Sequence, residues 1–161
     1  MNAIDLLTSQ HREVESLFAE IEKARTADKK EELFTELADR LAIHSAIEEH
    51  HFYPAVRKGD AESIVVVSMK EHLGIKRTLS ELLDIDADEE AFAPKLQALK
   101  AEVEEHVLEE ESQLFPRVQK LLSRGELESL ARDMSDEQEE LELRGNPRES
   151  VPAEVEAADL L

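Results

Sequence analysis

The sequence predicts an all-α fold: an up-down-up-down four-helix bundle with a short C-terminal helix and an acidic tail. Three observations carry this reading. Among 161 residues there are only four Gly, five Pro, one Tyr and no Trp, so turn and strand formers are scarce beside Glu, Leu, Ala and Lys, which favour helix. Four stretches space their apolar residues three and four apart, as one face of a helix requires. The links between them are short, which makes neighbouring helices antiparallel.

The first helix runs from about Asp5, a plausible cap, to Ala24, with the stripe Ile4, Leu7, His11, Val14, Phe18 and Ile21,. The second, about Lys30 to Arg57, carries Phe34, Leu37, Leu41, His44, Glu48, His51 and Ala55. The third, about Ala61 to Leu83, reads Val65, Ser68, His72, Ile75, Leu79 and Leu82. The fourth opens near Pro94, a good first-turn residue, and reads Leu96, Leu99, Val103, His106, Glu110 and Gln113, continued by Leu114, Val118 and Leu121,. Pro54 and Pro116 fall late in helices two and four, where each should kink the helix or begin its last turns,. The bundle is expected over residues 1–124. Residues 125–161 form a second segment with 12 acids against three arginines: a short helix from Glu126 to Leu143, then a mobile tail opened by Gly145, Asn146, Pro147 and Pro152.

Composition excludes several classes of function. With no Cys, there is no disulfide scaffold, thiolate zinc site, iron–sulfur cluster or Cys nucleophile, so any metal is held by His and carboxylates. The 39 acidic and 19 basic residues give a net charge of -20, which repels a phosphate backbone and argues against nucleic-acid binding. No basic, apolar leader opens the chain and no apolar run approaches the roughly 20 residues of a membrane span, so a cytoplasmic location is expected.

The halves 1–57 and 61–118 repeat. The segment from His44 to Pro54 and the segment from His106 to Pro116 align His, two consecutive Glu, an aromatic and Pro at an offset of 62, while His11 and His72 align at 61. Each half is a helical hairpin with one His on its first helix and His-x-x-x-Glu on its second. Any single piece is weak, because a lone His on an apolar stripe is commonly a hydrogen-bonded core residue. Four histidines on four stripes are harder to dismiss. If the stripes share an axis, four imidazoles and two carboxylates meet in one interior, and each unpaired carboxylate there would cost several kcal/mol. No Lys or Arg occupies the middle of a stripe, so metal cations are the natural counter-charge.

Mixed imidazole and carboxylate ligands suit iron, manganese or zinc. A residue four further along a helix lies on nearly the same face, about 6 Å on, so His and Glu at this spacing reach one cluster. A symmetric solution is two metals with Glu48 and Glu110 bridging, His11 and His44 on one, His72 and His106 on the other. Two nitrogens and two oxygens per metal leave positions open, unlike a closed structural zinc site.

At these residues the sequence resembles the haemerythrin-like, or HHE cation-binding, family over about residues 3–122. The resemblance implies that His11, His44, Glu48, His72, His106 and Glu110 ligate two iron ions, oxo- or hydroxo-bridged, in a centre that meets O2, NO or peroxide. Haemerythrins that carry O2 reversibly have a second helix-three His four residues from the first; here those positions are Ser68 and Lys76. His51 and Tyr53 are candidates for the vacancy. Tyr53 is nine residues past His44, on the opposite face of an ideal helix, so only distortion ahead of Pro54 would bring it in. Glu49 and Glu111 are expected in solvent or supporting the ligands. The functions left open are binding or sensing of O2 or NO, enzymatic handling of peroxide, iron storage, and a metal-free interaction module using the acidic tail.

Overall fold

The computed structural model describes residues 1–160. Its long helices are α1 (Ala3–Lys23), α2 (Ala27–Ile47), α4 (Glu62–Leu83), α5 (Phe92–Glu109) and α7 (Arg124–Arg144), with shorter α3 (Tyr53–Val56), α6 (Phe115–Leu121) and α8 (Val151–Asp159). No strand occurs among the described residues. None of the described helices is long and apolar enough to cross a membrane. Short links return α1 onto α2 and α4 onto α5, and these two hairpins make the four-helix bundle,.

Helix starts follow local chemistry. Asn2, rather than Asp5, caps α1: its side chain accepts from the Asp5 N–H at 2.9 Å, and the Asp5 carboxylate accepts from the Asn2 N–H at 3.2 Å,. Thr26 and Ser123 likewise cap α2 and α7 through their hydroxyl oxygens,.

Helices two and four of the bundle each contain one π turn, Glu48–Phe52 between α2 and α3 and Glu110–Leu114 between α5 and α6. The cause is the following proline. Pro54 and Pro116 have no N–H to donate and their rings collide with the carbonyl four residues back, which a wider turn relieves. The amides of Tyr53 and Phe115 accordingly donate five residues back, to the carbonyls of Glu48 and Glu110. Both helices then resume for their last turns.

The interior is layered. Val14, Leu41, Ile75 and Val103, one from each bundle helix, belong to an apolar core that extends through Phe18, Phe34, Leu79 and Leu99. One turn away lie His11, His44, His72 and His106, all buried. A further turn on are Leu7, Glu48, Ser68 and Glu110, all fully buried, followed by a second apolar core containing Ile47, Phe52, Phe115 and Val118. A polar slab is thus sealed between two dry cores.

The C-terminal segment departs from the expected short helix and mobile tail. α7 spans 21 residues and places Leu127, Leu130, Ala131 and Met134 in the second core. Beyond Gly145 the chain forms a 3-10 turn at Pro147–Ser150 and then α8, which lies against α4. Val151 is 1% exposed in the first core, and the Arg148 guanidinium and backbone N–H both donate to Asp39 at 3.1 Å. One fully buried apolar residue and three ion pairs, Arg148–Asp39, Arg77–Asp159 and Lys76–Glu154, hold this segment, a pattern without the apolar periodicity that a sequence reading detects.

Candidate metal centre

The six residues singled out by spacing meet in the polar slab as two groups that share Glu110. Glu48, His72, His106 and Glu110 each present a ligand atom within 4.8 Å of the others, and His11, His44 and Glu110 form a second such group. Glu48 lies 2.9 Å from His44 Nε2 and 3.1 Å from His72 Nε2. Glu110 lies 3.2 Å from His11 Nε2 and 3.4 Å from His106 Nε2. Each carboxylate therefore touches one histidine of each hairpin.

Every one of the four imidazoles is oriented from behind. Nδ1 of His11 faces Glu111 at 2.6 Å, that of His44 faces Gln10 at 2.7 Å, that of His72 faces Glu49 at 2.8 Å, and that of His106 faces Glu71 at 3.0 Å. An ionised carboxylate can only accept, so the proton belongs on Nδ1 and the Nε2 lone pair points inward. For Gln10 the same assignment follows from its amide nitrogen, which donates to Gln138 Oε1 at 2.8 Å and so turns its oxygen to His44,. Glu111 is in turn paired with Arg12, and Glu49 with the Lys76 ammonium at 2.8 Å.

This donor set fits a metal. His72 Nε2 and His106 Nε2 stand 3.0 Å apart, so two lone pairs face each other; nitrogens about 2.1 Å from one ion at a right angle would be separated by about 3.0 Å. His11 Nε2, His44 Nε2, Glu48 Oε2 and Glu110 Oε1 are buried without a hydrogen-bond partner, although the two nitrogens lie close to carboxylate oxygens. Buried polar atoms of a folded protein are nearly always satisfied. Four such unpartnered atoms in one slab, all nitrogen or carboxylate donors, are what a bound cation would satisfy.

The electrostatics agree. Burial opposes the charged form of His106, yet Glu110, Glu48 and Glu71 outweigh it and hold its pKa well above the usual range. His72 is raised in the same way, burial being overcome by Glu48 and Glu49. Burial pushes the Glu48 carboxyl up, but the surrounding histidines pull it well below the usual range. The site attracts positive charge, as protons or as metal ions.

Tyr53 is brought in. On an ideal helix nine residues turn about 900°, which puts it opposite His44; the wider π turn absorbs one residue and swings it inward. Its hydroxyl donates to Glu110 Oε2 at 2.7 Å and lies 3.0 Å from His72 Nε2 and 3.5 Å from His106 Nε2. Burial, then the charges of Glu110 and Glu48, push its pKa well above the phenol range. His51 is not brought in: its Nε2 lies 3.4 Å from Glu137 on α7. Ser68, one turn from His72, is buried with its hydroxyl unpartnered, and Lys76 faces Glu49 and Glu154. Spacing could not reveal Gln10 or Glu71, because each sits beside a histidine in sequence and supports one on the next helix.

On the side away from Tyr53 the imidazoles border a cavity of about 20 Å³, walled by Val14, Leu41, Ile75, Val103 and Val107. A space of that size holds one water-sized molecule.

Comparison with known proteins matches this geometry to a family. A family model described as the hemerythrin HHE cation binding domain matches residues 2–118. A crystal structure of a hemerythrin HHE cation binding domain-containing protein from Mycobacterium kansasii superposes with a TM-score of 0.81 at 28% identity, covering 94% of this chain and 97% of that one. Among curated relatives, a DNA nickase from a Nostoc species is 30% identical over 131 residues, and an uncharacterized hemerythrin-like protein from Schizosaccharomyces pombe is 27% identical over 125. The matched regions cover 81% and 76% of this chain but only 37% and 62% of those proteins. The chain belongs to the hemerythrin HHE cation-binding domain family.

Proposed function

We propose that this protein holds two iron ions and binds a small oxygen or nitrogen species, O2 or NO, beside them. His11 and His44 would hold one ion, His72 and His106 the other, with Glu48 and Glu110 shared. The observation that carries the reading is the set of four inward-facing imidazoles and two carboxylates closed between two apolar cores, with buried polar atoms that only cations would satisfy. Iron at such a site supplies reversible one-electron chemistry and open positions for a diatomic ligand.

The chain's own residues do the rest. Glu49, Glu71, Glu111 and Gln10 fix the imidazole tautomers,. The aliphatic cavity beside the imidazoles excludes bulk water and admits a molecule of diatomic size. Tyr53 extends the donor set with a phenol oxygen beside His72, and its O–H is donated to Glu110 at the same point.

That hydroxyl favours a second reading, enzymatic disposal of peroxide, in which Tyr53 and Glu110 hold a proton beside the reacting oxygens,. The two readings separate cleanly. The ferrous protein is mixed anaerobically with NO and followed by absorption, and the ferric protein is given peroxide while O2 release is recorded. A saturable spectral change with NO and no turnover of peroxide supports the binding function; sustained O2 release supports the enzyme. Failure of both reagents to perturb the loaded protein would contradict both readings.

A further inference from the structure

The repeat relates the two halves of the centre, and it fails at three positions in the same sense. His11 matches His72, His44 matches His106, Glu48 matches Glu110 and Glu49 matches Glu111. The residue preceding the first histidine of each hairpin is Gln10 in one half and Glu71 in the other; each faces the Nδ1 of the second histidine of its own hairpin, at 2.7 and 3.0 Å. One turn from that first histidine lies Leu7 in one half and Ser68 in the other. The aromatic before each proline is Tyr53, which reaches His72 and His106, or Phe115, which stacks on His11 with centroids 6.0 Å apart. The His72/His106 position thus has carboxylates behind both imidazoles, plus two hydroxyls; the His11/His44 position has one carboxylate, one amide, a leucine and a phenylalanine.

A carboxylate accepting the Nδ1 proton pushes electron density to Nε2 and strengthens it as a ligand, whereas a neutral amide fixes the ring without that gain. We propose that Gln10 makes the His11/His44 position the weaker of the two, so that the centre loads in order, the His72/His106 position first, and the ion beside His11 and His44 is the exchangeable one. This rests on the dinuclear reading above. Gln10 acts through His44 as a positioning residue. Its own orientation is set from α7, since Gln10 Nε2 donates to Gln138 and Gln138 Nε2 donates to Glu142 at 3.0 Å, so the weaker position is also the one connected to α7.

The test is anaerobic titration of the metal-free protein with ⁵⁷Fe(II), read by binding heat and Mössbauer spectroscopy. The wild-type protein should take two equivalents in two resolved steps, the second adding a quadrupole doublet distinct from the first. Gln10→Glu should strengthen the second step by about 10–100-fold and leave the first in place, while Glu71→Gln should weaken the first by a similar factor. Because Glu71 is half-buried, Glu71→Gln keeps the proposal falsifiable even if Gln10→Glu does not fold. Two equivalents taken in one step with a single doublet, or either substitution leaving its own step unmoved, would overturn the proposal with the dinuclear reading intact. Saturation at one equivalent would overturn the dinuclear reading itself.

Discussion

Replacing Glu110 by Gln keeps the shape of a side chain that is fully buried and removes one charge from the polar slab. In the metal-free protein two effects oppose. Glu48 and Glu110 offer oxygens within 4.8 Å of each other, and at an effective dielectric near 20 their repulsion is about 3.5 kcal/mol. Against that, the change weakens close contacts to His11 at 3.2 Å and His106 at 3.4 Å, each worth about 1.5–3 kcal/mol when the imidazole is charged. The net should stay within about 2 kcal/mol, a Tm shift below about 8 °C for a chain of this size. In the presence of metal the balance changes. Two ions at a hundredfold excess over Kd each add about 2.7 kcal/mol, which together raise Tm by about 10–20 °C. Glu110→Gln should abolish more than half of that rise, because both positions lose a shared oxygen. The assay is thermal unfolding by circular dichroism, wild type and variant, each with chelator and with ferrous iron under argon. A variant showing the full metal-induced rise would refute the reasoning, as would a wild type showing none.

Three further outcomes are expected. Glu49→Ala and Glu111→Ala should each weaken iron binding by about 10–100-fold, measured by competition with a chelator, and less than loss of Glu48 or Glu110, because they hold imidazoles and not the ions. In the metal-free protein the raised pKa values of His11, His72 and His106 contribute stability that is complete below their unfolded value of 6.5 and lost as pH rises through the folded values, while the lowered values of Glu48, Glu49 and Glu110 contribute stability present above 4.5 and lost as pH falls,. Chelated protein should therefore unfold at the highest temperature between pH 4.5 and 6.5, whereas iron affinity should climb with pH as the imidazoles shed protons; a metal-free optimum above pH 8 would contradict the assignment. Truncation after Leu143 removes Val151 from the core and Arg148 from Asp39, so chemical denaturation should show a loss of about 2–4 kcal/mol, while iron content stays at the full-length value because every proposed ligand precedes Gly125.

How far the fold could be read from the sequence depends on how many residues encode each feature. Four stripes of six or more members specify the bundle, and the offset of 61 and 62 between its halves is enough to align His11 with His72 and Glu48 with Glu110 before any coordinate is known. Tyr53 could be offered only as a candidate, for a definite reason: counting about 100° per residue assumes an α-helix throughout, and the turn from Glu48 to Phe52 is not one. The visible signal was Pro54, repeated as Pro116, which forces the carbonyl four residues back to find another partner. Gln10 and Glu71 were hidden because their partners lie on the neighbouring helix, where helical periodicity says nothing. The docking of α8 rests on Val151, on Arg148 and on ion pairs from Glu154 and Asp159 to α4, scattered among prolines and acids, and no periodic apolar pattern survives at that length.

The slab between the two cores is proposed to hold two iron ions. Elemental analysis of protein purified without added metal, taken with its ultraviolet and visible spectrum, tests it most directly. Close to two irons per chain and near-ultraviolet absorption that bleaches on reduction are expected; a protein carrying one ion per chain, or another metal with a featureless spectrum, would contradict the di-iron assignment.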